Sequence, residues 1–169
     1  MAFHIGEKVV YPNQGVGVVE QISNRNLTGQ SEMFYLLRLT TTSMKVMVPM
    51  SNVQNVGLRR VAKHSEIETI LAFLEKGRCK NCRDWKDRYK ENLEKMRSGS
   101  LQDVAEVYKG LLVLSQDKSL SFREKKMLDR AWQLLVDEIA VARGQGRETI
   151  ETSLVKALSK SNLKVQLPS

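Results

Sequence analysis

Apolar positions alternate with polar ones up to about residue 58, then recur at helical spacing from about residue 64. In the first stretch, KVVYP, GVGVVEQI, MFYLLRL and KVMVP are short runs rich in Val, Tyr, Phe and Leu, and they predict strands. Asn13-Gln14-Gly15, Leu27-Thr28-Gly29 and Thr40-Thr41-Thr42-Ser43 predict the turns between them. About four or five short strands are too few for a sandwich and fit a small barrel of the Tudor or SH3 kind. Within KVMVP, Val46 and Val48 share one face and Lys45, Met47 and Pro49 the other. Inward valines leave Met47 and Pro49 facing solvent, and the proline predicts a strand end or an edge strand.

In the second stretch, Ser65-Glu66-Ile67-Glu68 has the capping-box pattern, followed by Ile67, Ile70, Leu71 and Leu74 at helical spacing, with Gly77 as the stop. A second helix is predicted from about Asp84 to Arg97, with Tyr89, Leu93 and Met96 on one face and Gly99 ending it. Ser100 to Asp103 opens a third, carrying Val104, Val107, Leu111 and Leu114. Ser121-Phe122-Arg123-Glu124 is another capping box and opens the longest helix, with Leu128, Ala131, Leu135 and Ile139 inward and Gly144 and Gly146 at its end. A last helix over about Glu148 to Lys160 carries Ile150, Leu154 and Leu158. The class expected is α+β: a β-barrel over about residues 1–60, a compact bundle of about five helices over 64–160, and a flexible tail over 161–169.

The chain has 169 residues, of which 41% are hydrophobic and 27% charged, an ordinary globular balance that supplies cores without metal or disulfide staples. No apolar run approaches the roughly 20 residues that span a bilayer. The N-terminal MAFHIGEKVV lacks the layout of a signal peptide, so a cytoplasmic protein is expected. The net charge of +8 favours an anionic partner, of which nucleic acid is the commonest. A membrane surface is not expected, since no helix joins a wide apolar face to a basic one.

Cys79 and Cys82 form one CxxC. Zinc takes four ligands, and His4 and His64 are distant and unpaired in spacing. A redox motif of the thioredoxin kind needs a βαβ context, which the pattern lacks. Pro12 to Gly17 bears glycines but reads as a hairpin turn, not a phosphate loop. The expectation is a protein without cofactor, metal or enzymatic activity.

The segment Arg78–Arg97 holds eight Lys/Arg against four Asp/Glu, and Trp85 lies within it. Trp85, Tyr89, Leu93 and Met96 follow one helical face, so periodicity alone makes Trp85 an extension of the core stripe. Its place in the first turn, among Arg83, Lys86, Arg88 and Lys90, allows a second reading. Cations that neutralise phosphates around a flat apolar ring suit a wedge into a minor groove, at the least cost where DNA is already melting. Phe122, Lys125 and Lys126, in the first turn of the longest helix, either join this patch or, for Phe122, staple the preceding loop.

GEKVVYPNQGVG, Met-Lys-Val-Met-Val-Pro, DWKDRYKENLEKMRSGS, LQDVAEVYKGLL and LSFREKKMLDRA stand in an order that resembles the CarD/CdnL family of bacterial transcription regulators over about residues 3–158. The resemblance implies a Tudor-like N-terminal domain, shared with the polymerase-interacting domain of the transcription-repair coupling factor, that binds the RNA polymerase β subunit through Arg25, Leu27, Met47 and Pro49. It implies a helical domain that meets promoter DNA upstream of the bubble through Trp85, Arg88, Lys90, Leu93, Phe122, Lys125 and Lys126. Trp85 would enter the minor groove at the upstream bubble edge and hinder its collapse. A monomer that reaches the bacterial nucleoid through polymerase follows. Some relatives carry Arg at the position of Met47 and a basic residue at that of Asp87, and the resemblance says nothing of the CxxC.

The competing expectation is an adaptor that binds proteins only, with Trp85 in the core and the charge serving solubility. A CxxC redox enzyme and a repressor reading major-groove bases have less behind them, the latter because no helix is rich in outward Arg, Asn and Gln.

Overall fold

The computed structural model describes residues 2–27, 29–78, 85–98 and 100–165, with Leu27, Trp85 and Ser98 described by their backbone alone. The chain divides into two compact units, Met1–Val61 and Ala62–Ser169. Among the described residues no helix is long and apolar enough to cross a membrane.

The first unit is a five-stranded antiparallel sheet of β1 (Lys8–Tyr11), β2 (Gly15–Leu27), β3 (Gln30–Leu39), β4 (Lys45–Pro49) and β5 (Arg59–Arg60). Their order across the sheet is β4-β3-β2-β1-β5. A short 3-10 turn (Met50–Asn52) and the four-residue α1 (Val53–Val56) lead from β4 to β5. The turns use left-handed backbone where the sequence places Asn and Gly, with φ of 66° at Asn13 and 81° at Gly29. One face buries Val9, Val19, Tyr35, Leu37 and Val48 together with Phe3, Val53 and Leu58. The Phe3 ring meets Tyr35 edge-on at 5.7 Å, and the Phe3 amide donates to the Tyr35 hydroxyl at 3.1 Å. Arg60 holds this corner, with its Nε donating to Glu7 at 3.0 Å and its guanidinium over the Phe3 ring at 5.5 Å.

The expected barrel is an open sheet: β5 is two residues long and pairs only with β1, and among the described residues β4 has no neighbour on its outer side. The edge position read from Pro49 therefore matches the observed strand order. β5 itself was not anticipated, because two consecutive arginines carry no strand signal.

The second unit contains α2 (His64–Lys76), α3 (Trp85–Ser98), α4 (Leu101–Asp117), α5 (Phe122–Arg143) and α6 (Arg147–Ser159). The predicted stripes form its core: Ile67, Ile70 and Leu74, then Met96, then Val104, Val107 and Leu111, then Leu135 and Ile139, then Ile150, Leu154 and Leu158 are all buried. Trp132 is buried beside Tyr108, with ring centroids 5.3 Å apart. Burial, helped by the charge of Asp129, raises the Tyr108 phenol far above its ordinary pKa. Ser100 and Asp103 form a full reciprocal capping box at the start of α4.

Two boundaries differ from expectation. The Ser65-to-Glu68 pattern does not cap α2, which starts at His64 after an extended Lys63 and has no side-chain cap. With Lys63 at the cap position, Ser65 already lies inside the first turn, and Glu68 accepts instead from Arg143 Nη2 at 2.6 Å. The described part of the expected loose tail is docked. Leu163 and Val165 pack on the core, and the Ser161 hydroxyl bonds back to the Leu74 carbonyl at 3.0 Å.

Candidate functional site

In the sheet, paired residues on neighbouring strands share a face. Leu36 of β3 stands opposite Met47 of β4 and Gln21 of β2, and Phe34 stands opposite Pro49 and Ser23. The next positions on that face are Arg25 opposite Glu32, then Leu27 opposite Gln30. Arg25, Leu27, Met47 and Pro49 thus hold register positions on the same face, away from the core side of Ile22, Tyr35, Leu37 and Val48.

This grouping depends on an irregularity. The register shifts between Val19 and Gln21, leaving Glu20 as an extra residue on β2. Such a bulge reverses which side odd and even residues occupy. Before it, Val19 points into the core; after it, Ile22 does, and the odd positions turn outward. Strict alternation carried on from Val19 would have turned Arg25 and Leu27 inward. The Glu20 carboxylate bridges Arg38 at 3.0 Å and Lys45 at 3.8 Å, joining the three strands beside the bulge. Phe34 and Leu36, which sequence reasoning did not single out, share the face with Met47 and Pro49.

In the helical unit, the first turns of α3 and α5 meet. Ser121 caps α5 by accepting the Glu124 amide at 3.2 Å, and its hydroxyl donates to Glu124 Oε1 at 3.2 Å. Glu124 Oε2 accepts from Arg88 Nε at 3.1 Å and from Arg88 Nη2 at 2.9 Å. The pair is well covered, with 18% of the Arg88 side chain and 5% of the Glu124 side chain exposed. Beside it Phe122 is 71% exposed, a large value for a phenylalanine, and Lys126 Nζ lies 4.5 Å from its ring centroid. Lys125, Lys126, Lys86 and Lys90 are all exposed.

The predicted nucleic-acid residues therefore divide. Lys90, Phe122, Lys125 and Lys126 are open to solvent. Leu93 packs against the core with Tyr89, and Arg88 is held by Glu124. Trp85 opens α3 one turn before Tyr89, and its side chain lies outside what is described; so do Cys79 and Cys82. Glu124 was legible as a cap but not as a partner of Arg88, 36 residues away. Among the described residues no cluster of His, Cys, Asp and Glu could hold a metal ion.

Comparison with known proteins adds a lineage to this geometry. A family model described as "CarD-like/TRCF RID domain" matches residues 3–62, and one described as "CarD, C-terminal domain" matches residues 69–155. The chain is 32% identical over 150 residues to the Bacillus subtilis (strain 168) protein called "Putative transcription factor YdeB", spanning 89% of this chain and 98% of that one. Among solved structures, CdnLNt from Myxococcus xanthus is 43% identical and covers 36% of this chain and 86% of its own, with a TM-score of 0.32. The 72-residue N-terminal domain of Myxococcus xanthus CarD, solved by NMR, is 38% identical and covers 34% of this chain and 77% of its own, with a TM-score of 0.31.

Proposed function

We propose, starting from the fact that this chain belongs to the CarD family of transcription regulators, that it docks on the RNA polymerase β subunit through its sheet and steadies the open promoter complex through its helices. The observation that carries the docking half is the bulge at Glu20, which turns Arg25 and Leu27 to the same face as Met47 and Pro49. A cation at one end and apolar side chains beside an open strand edge suit a partner that adds a strand and covers the face.

The helical unit then works at high local concentration, so its DNA contacts need only be weak and independent of sequence. Lys90, Lys125 and Lys126 neutralise phosphates and release counterions. Trp85 wedges into the minor groove at the upstream edge of the bubble, where the cost of unstacking is already partly met, and Phe122 lies against the same DNA. The mechanism is mechanical occupancy and involves no catalysis.

Polymerase capture tests the docking. Immobilised full-length chain carrying Met47→Asp is expected to bind the polymerase at least about tenfold more weakly, because a carboxylate enters an apolar contact. Met33→Asp makes the same change on the opposite face of β3, where Met33 is partly exposed, and should bind as the unaltered chain does. Equal loss in both variants, or none in either, would assign the contact to another surface.

A further inference from the structure

The family resemblance gives Arg88 a place among the DNA contacts, and, resting on the helical half of the proposed function, we infer a different task for it. We propose that Arg88 and Glu124 act as a positioning pair, which sets the DNA-facing start of α3 against the DNA-facing start of α5 and leaves Arg88 without a phosphate to bind. Two observations carry this. First, Arg88 Nε and Nη2 both donate to one oxygen of Glu124, at 3.1 Å and 2.9 Å, the geometry of a guanidinium committed within the fold. Second, the other Glu124 oxygen accepts the Ser121 hydroxyl at 3.2 Å, so the same carboxylate is fixed to the α5 cap.

The chain Arg88–Glu124–Ser121 thus runs from the turn that opens with Trp85 to the turn that carries Phe122, Lys125 and Lys126. Glu124 is nearly fully covered, so it sets position and does not offer a charge to the DNA. A phosphate that captured Arg88 would leave that carboxylate buried and unpaired, a costly exchange. A second ion pair of α3 supports the same role. Lys95 bridges to Glu106 of α4 at 3.2 Å, fixing the far end of α3 while Arg88 fixes its start.

The test compares the unaltered full-length chain with Lys90→Ala, Arg88→Met, Glu124→Met and the Arg88→Met, Glu124→Met double variant. Binding to a synthetic duplex with a forked end is measured across a series of salt concentrations. Removing a true phosphate contact lowers the slope of log affinity against log salt by about 0.9, which is the result expected for Lys90→Ala. Arg88→Met should bind about tenfold more weakly at every salt concentration with the slope unchanged. The double variant should recover most of that loss, because no buried charge is left alone. A slope lowered by about 0.9 in both Arg88→Met and the double variant would overturn the assignment.

Amide hydrogen exchange on the same proteins needs no DNA and separates this inference from the reading it rests on. Arg88→Met should speed exchange across the first turn of α5, and the double variant should restore protection. Exchange there that is indifferent to Arg88 would overturn the positioning role even if forked DNA binds. Failure of the unaltered chain to bind forked DNA would count against the proposed function and leave the exchange result to decide the pair.

Discussion

Lys109→Met lowers the stability of the chain by about 3 kcal/mol, seen in calorimetry as a fall in Tm of roughly 10–20 °C for the helical unit. Lys109 lies in α4 and is only 2% exposed. Its ammonium donates to the Phe73 carbonyl at 2.7 Å, the Gly77 carbonyl at 2.8 Å and the Ser161 hydroxyl at 3.2 Å. It also stands over the Phe73 ring at 5.2 Å. The two carbonyls end α2, where the helix dipole is negative and carbonyl oxygens take donors from outside the helix; the Phe73 oxygen also accepts the Gly77 amide. One buried cation therefore ties α2, α4 and the turn after α6 together. Methionine fills similar space but donates nothing, and no substitution can remove the backbone carbonyls it would leave behind. A loss below about 0.5 kcal/mol would mean that water or another donor takes over the site.

Gly77→Ala strikes the same junction from the other side and costs about 2 kcal/mol, read as a lower midpoint in urea with an unchanged slope. Gly77 has an ordinary extended backbone, φ −67° and ψ 150°, so its need is for space. A Cβ there would fall 2.2 Å from Phe73 Cδ2 and 2.6 Å from the Phe73 carbonyl oxygen. The ring can swing aside, but that oxygen already accepts the Gly77 amide at 2.6 Å and Lys109 at 2.7 Å. Relief of the clash must disturb one of the two bonds. Gly110, within α4, is the control: a Cβ there meets nothing within 4 Å, so Gly110→Ala should stabilise by about 0.5–1 kcal/mol. Because both changes act on the Phe73 carbonyl, Gly77→Ala combined with Lys109→Met should cost less than the two separately.

Neither effect was visible in the sequence. A lysine between Tyr108 and Gly110 reads as a solvated helix position, because periodicity ranks faces and does not know that a helix end will arrive there. The apolar stripes were legible because burial of Ile67, Ile70 and Leu74, or of Ile150, Leu154 and Leu158, depends on spacing within one helix. The caps at Ser100 and Ser121 were legible for the same reason, being local. Partners distant in sequence were not. Glu68 satisfied a local capping pattern yet serves Arg143, and Glu124 serves both its own cap and Arg88.

The candidate interfaces divide along the same line. Alternation within five residues of β4 turned Met47 and Pro49 outward, and the register agrees. Their grouping with Arg25 and Leu27 was available only through family resemblance, since the bulge at Glu20 breaks the alternation that would otherwise be carried along β2. In the helices, the cationic segment was plain from composition. Which cations are spent inside the fold, as Arg88 is, required tertiary structure.

The most direct measurement is the lifetime of open promoter complexes challenged with a competitor, on a promoter whose bubble closes readily. Polymerase is used alone, with the full-length chain, and with its Trp85→Ala and Met47→Asp variants. The unaltered chain should lengthen the lifetime, and both variants should return it towards that of polymerase alone, Met47→Asp through lost docking and Trp85→Ala with docking intact. A Trp85→Ala chain that prolongs the complex as well as the unaltered one does would contradict the wedge, and an unaltered chain that leaves the lifetime unchanged would contradict the whole account.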